Sequence, residues 1–308
     1  MSAADAAMDG QGAEAAPLVA WTGGRLVLPH AVVDGKALLT RGGKIVAVAA
    51  AGEVPDGARR EDLGGAYLLP GLIDIHAHGA LGRSFLDGDD AAFATILAEQ
   101  ARRGVTGLLA TTSTAPMPDI LRALETTRAW LGREDAGCRV LGAHVEGPYF
   151  AAAQAGAQDP ANLRTPDDGS AEELLAYADV IRILSFAPEL PGAVALTERL
   201  VGLGIVAAGG HSEASDEDVR RCEARGLSHA IHLWSGQSTT YRRGPYRVPG
   251  ILEASLASDT LTGEVIADGK HLPPTLLRLA RRALGPDRLC VVSDATSGAG
   301  LPDGSEFT

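Results

Sequence analysis

The stretch "DDAAFATILAEQARRGVTGLLATT", Asp89 to Thr112, decides how this chain folds. Asp89–Gly104 has the length and pattern of a helix, and Val105–Thr112 is an apolar run that reads as a buried strand. The same alternation continues to the end of the sequence. Strand-like runs fall at 67–76, 105–112, 138–146, 181–188, 205–211, 228–233, 263–269 and 289–295. Further helix patterns fall at 118–132, 170–178, 192–204, 215–226 and 274–285. Ser215 and Asp216 form an N-cap region, where a hydroxyl meets free backbone N–H groups and acids suit the helix dipole. Eight strands alternating with helices predict an α/β fold, a closed (β/α)8 barrel of TIM type, over residues 67–308.

Upstream, "LVAWTGGRLVLP", "GKALLTRGGKIVAVA" and "GAYLLP" are short apolar runs broken by Gly-rich turns, the pattern of β-hairpins. They predict a small β domain over residues 17–66. Residues 1–16 are Ala-rich without periodicity and read as a disordered leader. The sequence stops at "LPDGSEFT", just past the eighth strand. It therefore reads as truncated, with a final barrel helix missing and the N-terminal β-sandwich incomplete.

With 308 residues, 45% of them hydrophobic, the chain can bury a large core. A net charge of -12 disfavours nucleic acid and anionic membrane surface as partners, since both need a basic face. The opening does not resemble a secretory signal and no run is long enough to span a bilayer, so a cytoplasmic location is expected. Cys138, Cys222 and Cys290 lack metal-type spacing and are expected to be reduced, mostly buried thiols.

The polar outliers fall at strand ends: His76 and His78, then Glu146, His211, His232, Asp268 with His271, and Asp294. In a barrel the C-terminal strand ends converge on one face, where sites of this fold are built. Taken singly, each has an ordinary structural role, as a turn cap, a carbonyl-bonded imidazole or an arginine partner. Taken together they point to a metal centre, because buried charges must be paired or ligate a cation. "IDIHAHG" projects His76 and His78 to the same side of one strand. Imidazoles plus a carboxylate suit Zn²⁺ or Fe²⁺ better than Mg²⁺.

The ordered series "PGLIDIHAHG", "HVEGPY", "APE", "GGHSEAS", "HLW", "ADGKH" and "VSDA" resembles the N-acetylglucosamine-6-phosphate deacetylases of the amidohydrolase superfamily, from about Leu18 to Thr308. The resemblance implies a metal-dependent hydrolase barrel that removes acetate from an amino-sugar phosphate, acting as a homodimer. It implies that Glu146, His211 and His232 hold a main divalent ion, Zn or Fe. It implies a second ion on His76 and His78, bridged by Glu146. Asp294 matches the catalytic aspartate, which takes a proton from the attacking water and delivers it to the departing amine. His271 matches a substrate-contacting histidine. Arg247 matches a phosphate-binding arginine contributed across the dimer, with Arg242 and Arg243 as rivals in the same loop.

The chain departs from that pattern twice. Gln158 stands where the family usually has a histidine that polarises the acetyl carbonyl, and it can offer only a neutral hydrogen bond. Ser235 and Gly236 stand where Asn-Ala usually contacts phosphate, although backbone N–H groups there could still grip an anion. Two other readings remain at this point. One is an amidohydrolase acting on a different N-acyl or cyclic amide, and the other is an inactive sugar-phosphate-binding remnant.

Overall fold

The computed structural model describes residues 16–133 and 136–306. Residues 1–15 of the expected leader lie outside the described residues. The chain divides into two compact units, one through Gly71 and one from Leu72.

The first unit is all β. One sheet has the order Lys44–Ala50, Lys36–Arg41, Leu18–Thr22, Arg59–Asp62, and a second has the order Ala31–Val33, Arg25–Leu28, Tyr67–Leu68. Ala20, Ala37, Leu39, Val54 and Ala58 form its core. Arg59–Asp62, absent from the sequence reading, pairs parallel with Leu18–Thr22. Its "RRED" composition gives no apolar alternation, so only the neighbouring strand reveals it. Gly23, at φ +69°, permits the turn there: a Cβ would lie 2.1 Å from Asp62 Oδ1. The expected boundary at residue 66 moves to Gly71, because the run expected at 67–76 is two strands. Tyr67–Leu68 pairs with Arg25–Leu26 in the first unit. Pro70, which has no N–H to give a ladder, separates it from Leu72–Ala77.

The second unit contains all eight expected barrel strands: Leu72–Ala77, Val105–Thr112, Arg139–Glu146, Ile181–Phe186, Val206–Gly209, Leu227–Ala230, Thr262–Ile266 and Leu289–Val292. They pair in sequence order and in parallel. The ring is nearly closed by a parallel bridge between Ala77 and Ala295 and by Asp294 N–H donating to the His76 carbonyl at 2.9 Å. Leu109, Ile183, Ala208 and Ile231, with Ile75 and Leu141 packed against them, pool apolar side chains from six successive strand segments. That cluster fills the ring.

The helix that opened the sequence argument runs Asp90–Arg102, capped by Asp89, whose Oδ1 accepts from Ala92 N–H at 2.8 Å. Phe93, Ile96 and Leu97, at helical spacing, are fully buried against Leu108 and Ala110 of the next strand. Ser215 caps Asp216–Glu223, and the Asp218 carboxylate accepts in turn from the Ser215 N–H at 2.9 Å. The short helix Ile251–Ala257 was not anticipated, since so few turns give little periodicity.

Phe93 meets Phe85 edge to face at 4.8 Å between centroids, and Trp130 at 5.9 Å. Phe93→Ala is expected to destabilise the chain by about 3–5 kcal/mol, read as a lower urea midpoint at unchanged slope. A shift under about 1 kcal/mol would show that this helix is not part of the cooperative core.

Candidate metal centre

Glu146 ends the third barrel strand, where Gly147 turns the chain. Gly147 has φ +87°, and a Cβ there would sit 2.4 Å from Thr114 Oγ1. Although Glu146 is only 2% exposed, four imidazoles face it. His232 Nε2 lies 2.9 Å from Oε1, His211 Nε2 3.3 Å from Oε1, His76 Nε2 3.4 Å from Oε1, and His78 Nε2 3.4 Å from Oε2. Asp294 completes the group, its Oδ1 3.2 Å from His78 Nε2 and 3.6 Å from His76 Nε2. The closure of the ring brings it there, since its backbone is bonded directly to His76.

Hydrogen bonds on the far side of the rings fix which nitrogen faces inward. A carbonyl can only accept, so His211 Nδ1–H donates to Gln154 O at 2.8 Å. His76 Nδ1 likewise donates to Glu264 Oε2 at 2.8 Å. In neutral rings the Nε2 lone pairs of both then face carboxylate oxygens, acceptor against acceptor. Among the described residues, His76 Nε2 and His232 Nδ1 are buried with no hydrogen-bond partner. Such an arrangement needs a proton or a cation between the groups, and the donor set of imidazoles plus carboxylates suits a divalent transition metal. His76, Glu146 and His232 form one group with metal-binding spacing, and His76, His78 and Asp294 form another.

The electrostatics agree. Burial alone would raise the Glu146 carboxyl, but the neighbouring His76, His211 and His232 imidazoles hold it well below the usual range. Burial would lower the His76 imidazole, but Glu264 and Glu146 raise it well above its usual value. Asp294 is also held low, chiefly by His78 and His76 working against its burial. Backbone strain concentrates at the same place. His211, Trp234 and Asp294 have φ of 42°, 73° and 48°, three of the four non-glycine residues with positive φ among those described. Such conformations cost about 1–3 kcal/mol each and persist where surrounding structure enforces them.

The remaining expected site residues divide. Gln158 is buried beside the cluster, its Oε1 accepting from Thr114 N–H at 2.7 Å and its Nε2 donating to Glu146 Oε2 at 2.5 Å. Its amide therefore orients the central carboxylate. Gly236, at φ +56°, lets the chain pass His211, since a Cβ would lie 2.6 Å from Nδ1. Ser235 is half-buried and donates its N–H to His232 O at 3.0 Å. His271 is exposed and bonds Asp268 at 2.8 Å rather than any member of the cluster. Arg247 lies on an exposed hairpin, in register with Arg242, and Arg243 pairs with Tyr246.

Sequence reasoning missed a second polar layer. Glu264, fully buried, binds His76, His229 and the His232 backbone. His144 Nδ1 donates to Ile75 O at 3.1 Å and its Nε2 lies 2.5 Å from Ser185 Oγ, while burial pushes the ring down to about 3, so it stays neutral. A glutamate inside the apolar run "GEVIADG" was the available signal, because Glu is almost never fully buried unless paired. All three cysteines are free; Cys138 and Cys222 are buried and Cys290 is half-buried. No described helix is long and apolar enough to cross a membrane.

No family model matches the chain. Among curated proteins, an N-acetylglucosamine-6-phosphate deacetylase of Bos taurus is 31% identical over 311 residues, covering 96% of this chain and 74% of that protein. The N-acetylglucosamine-6-phosphate deacetylase of Bacillus subtilis is 33% identical over 241 residues, covering 77% of this chain and 60% of that protein. The chain thus spans about three fifths of that relative's length. One solved structure is a mutant N-acetyl-D-glucosamine-6-phosphate deacetylase from Mycobacterium smegmatis in complex with N-acetyl-D-glucosamine-6-phosphate. It superposes with a TM-score of 0.83 at 31% identity, covering 94% of this chain and 73% of that one.

Proposed function

Because this chain belongs to the N-acetylglucosamine-6-phosphate deacetylase family of the amidohydrolase superfamily, we propose that it hydrolyses N-acetylglucosamine 6-phosphate to glucosamine 6-phosphate and acetate. The observation that carries this reading is the convergence of Glu146, four histidines and Asp294 in one buried cluster.

Glu146, His211 and His232 would hold one ion, and His76 with His78 a second, with Glu146 between them. Zinc or iron suits these donors. A divalent ion held there would supply Lewis-acid chemistry, lowering the pKa of a water and polarising the acetyl carbonyl. Asp294, ionised at neutral pH, accepts the proton of the attacking water. It then delivers that proton to the sugar nitrogen, since an amide anion is a very poor leaving group. Gln158, tied to Thr114 and Glu146, keeps the central carboxylate from rotating and leaves the acetyl group without the cationic donor a histidine could become.

Phosphate recognition falls to the Gly236 backbone, since the Ser235 N–H is already given to His232 O, and to an arginine, while His271 contacts the substrate. Arg247, with Arg242 and Arg243 beside it, forms an exposed basic hairpin on an acidic chain, suited to reach a neighbouring subunit's substrate in a homodimer. Unpaired cysteines favour a cytoplasmic setting.

The test is acetate release from the Zn²⁺- or Fe²⁺-loaded chain with N-acetylglucosamine 6-phosphate, N-acetylglucosamine and a cyclic amide. Acetate and free amine should appear in equal amounts, fastest from the phosphorylated sugar. A preference for the cyclic amide rejects the assignment.

A further inference from the structure

We propose that Glu264 is a positioning residue that locks the two halves of the metal centre together, fixing the His76 ring and the His232 backbone so that both face Glu146. The inference rests on the metal-dependent reading above.

Glu264 lies on the seventh barrel strand, whereas His76 belongs to the first and His232 follows the sixth. Its Oε2 accepts from His76 Nδ1 at 2.8 Å and from the His232 backbone N–H at 3.1 Å. Its Oε1 accepts from His229 Nε2 at 2.9 Å. One carboxylate therefore ties together groups from both proposed ion positions. His229 is itself anchored, its Nδ1 lying 2.6 Å from Thr262 Oγ1, so the carboxylate cannot rotate freely.

The chemical consequence is a fixed tautomer. With its Nδ1–H committed to Glu264, His76 presents the Nε2 lone pair toward Glu146 and Asp294, and that atom has no hydrogen-bond partner among the described residues. A carboxylate behind a ligating histidine sets ring orientation and raises basicity, and losing such a partner typically weakens metal binding about 10–100-fold. A buried carboxylate is tolerated only when paired, and three N–H donors pair this one.

Glu264→Gln preserves shape but replaces one acceptor oxygen with an amide donor. Zn²⁺ affinity of the full chain, measured by competition with a chromophoric chelator and without substrate, is expected to fall about 10–100-fold at the His76/His78 position. The absorption bands of the Co²⁺-loaded chain should change with it. In a His76→Gln background the same substitution should cause a smaller loss, carried by the His232 backbone alone. Unchanged zinc affinity and cobalt spectrum in the folded variant, or an equal loss in both backgrounds, overturns the proposal. Should Glu264→Gln fail to fold, His229→Gln frees only Oε1, and a smaller loss in the same direction is expected; unchanged affinity there also overturns it. Because no substrate is used, failure of the deacetylase assignment leaves this outcome separately readable.

Discussion

Asp294→Asn is expected to lower kcat for acetate release by about 10²–10⁴-fold, the usual contribution of a positioned acid–base group. The geometry makes this a focused change. Asp294 Oδ1 lies 3.2 Å from His78 Nε2, and asparagine keeps the shape while losing the ability to accept and return a proton. The backbone bond to His76 and the αL conformation are both compatible with asparagine, which enters that region more readily than most residues. Folding should therefore survive, and KM should move far less than kcat. The measurement is steady-state acetate release beside bound metal per chain. Turnover equal to the parent at equal metal content would remove Asp294 as the proton carrier.

Glu146→Gln should have an effect at least as large through a different route. Among the described residues, Glu146 is the one side chain that approaches His76, His78, His211 and His232 together. An amide has no charge to balance a cation and places a donor where Oε1 or Oε2 met imidazole nitrogen. Metal affinity should drop by more than the roughly 10–100-fold that outer partners control. Chelator treatment of the parent should abolish turnover, with recovery on adding back Zn²⁺ or Fe²⁺, whereas the variant should not recover at micromolar metal. Retention of metal and activity by Glu146→Gln would break the proposed bridge.

Much of this site was legible before any coordinates. His76, His78, Glu146, His211, His232 and Asp294 interrupt apolar runs at strand ends, and barrel geometry dictates that such ends converge. Gln158 was legible as a site residue but not in its contacts, because whether an amide meets substrate or a neighbouring carboxylate depends on the Thr114 backbone beside it. Glu264 and His229 were visible as letters within strand runs, yet nothing local says which polar residues of different strands will meet. Arg59–Asp62 shows the same limit in the first unit, where a charged segment becomes a strand only because Leu18–Thr22 offers it a partner.

The sequence by itself determined the repeating strand–helix units and the kinds of donor at each strand end, because period, burial preference and ligand chemistry are properties of short segments. Tertiary structure alone decided that His76 and Glu264, 188 residues apart, share a hydrogen bond. It also decided that the eighth strand closes onto the first, so that Asp294 lies against His76. Those distances depend on strand register and ring closure, which sum small offsets over all eight strands and are written in no one of them.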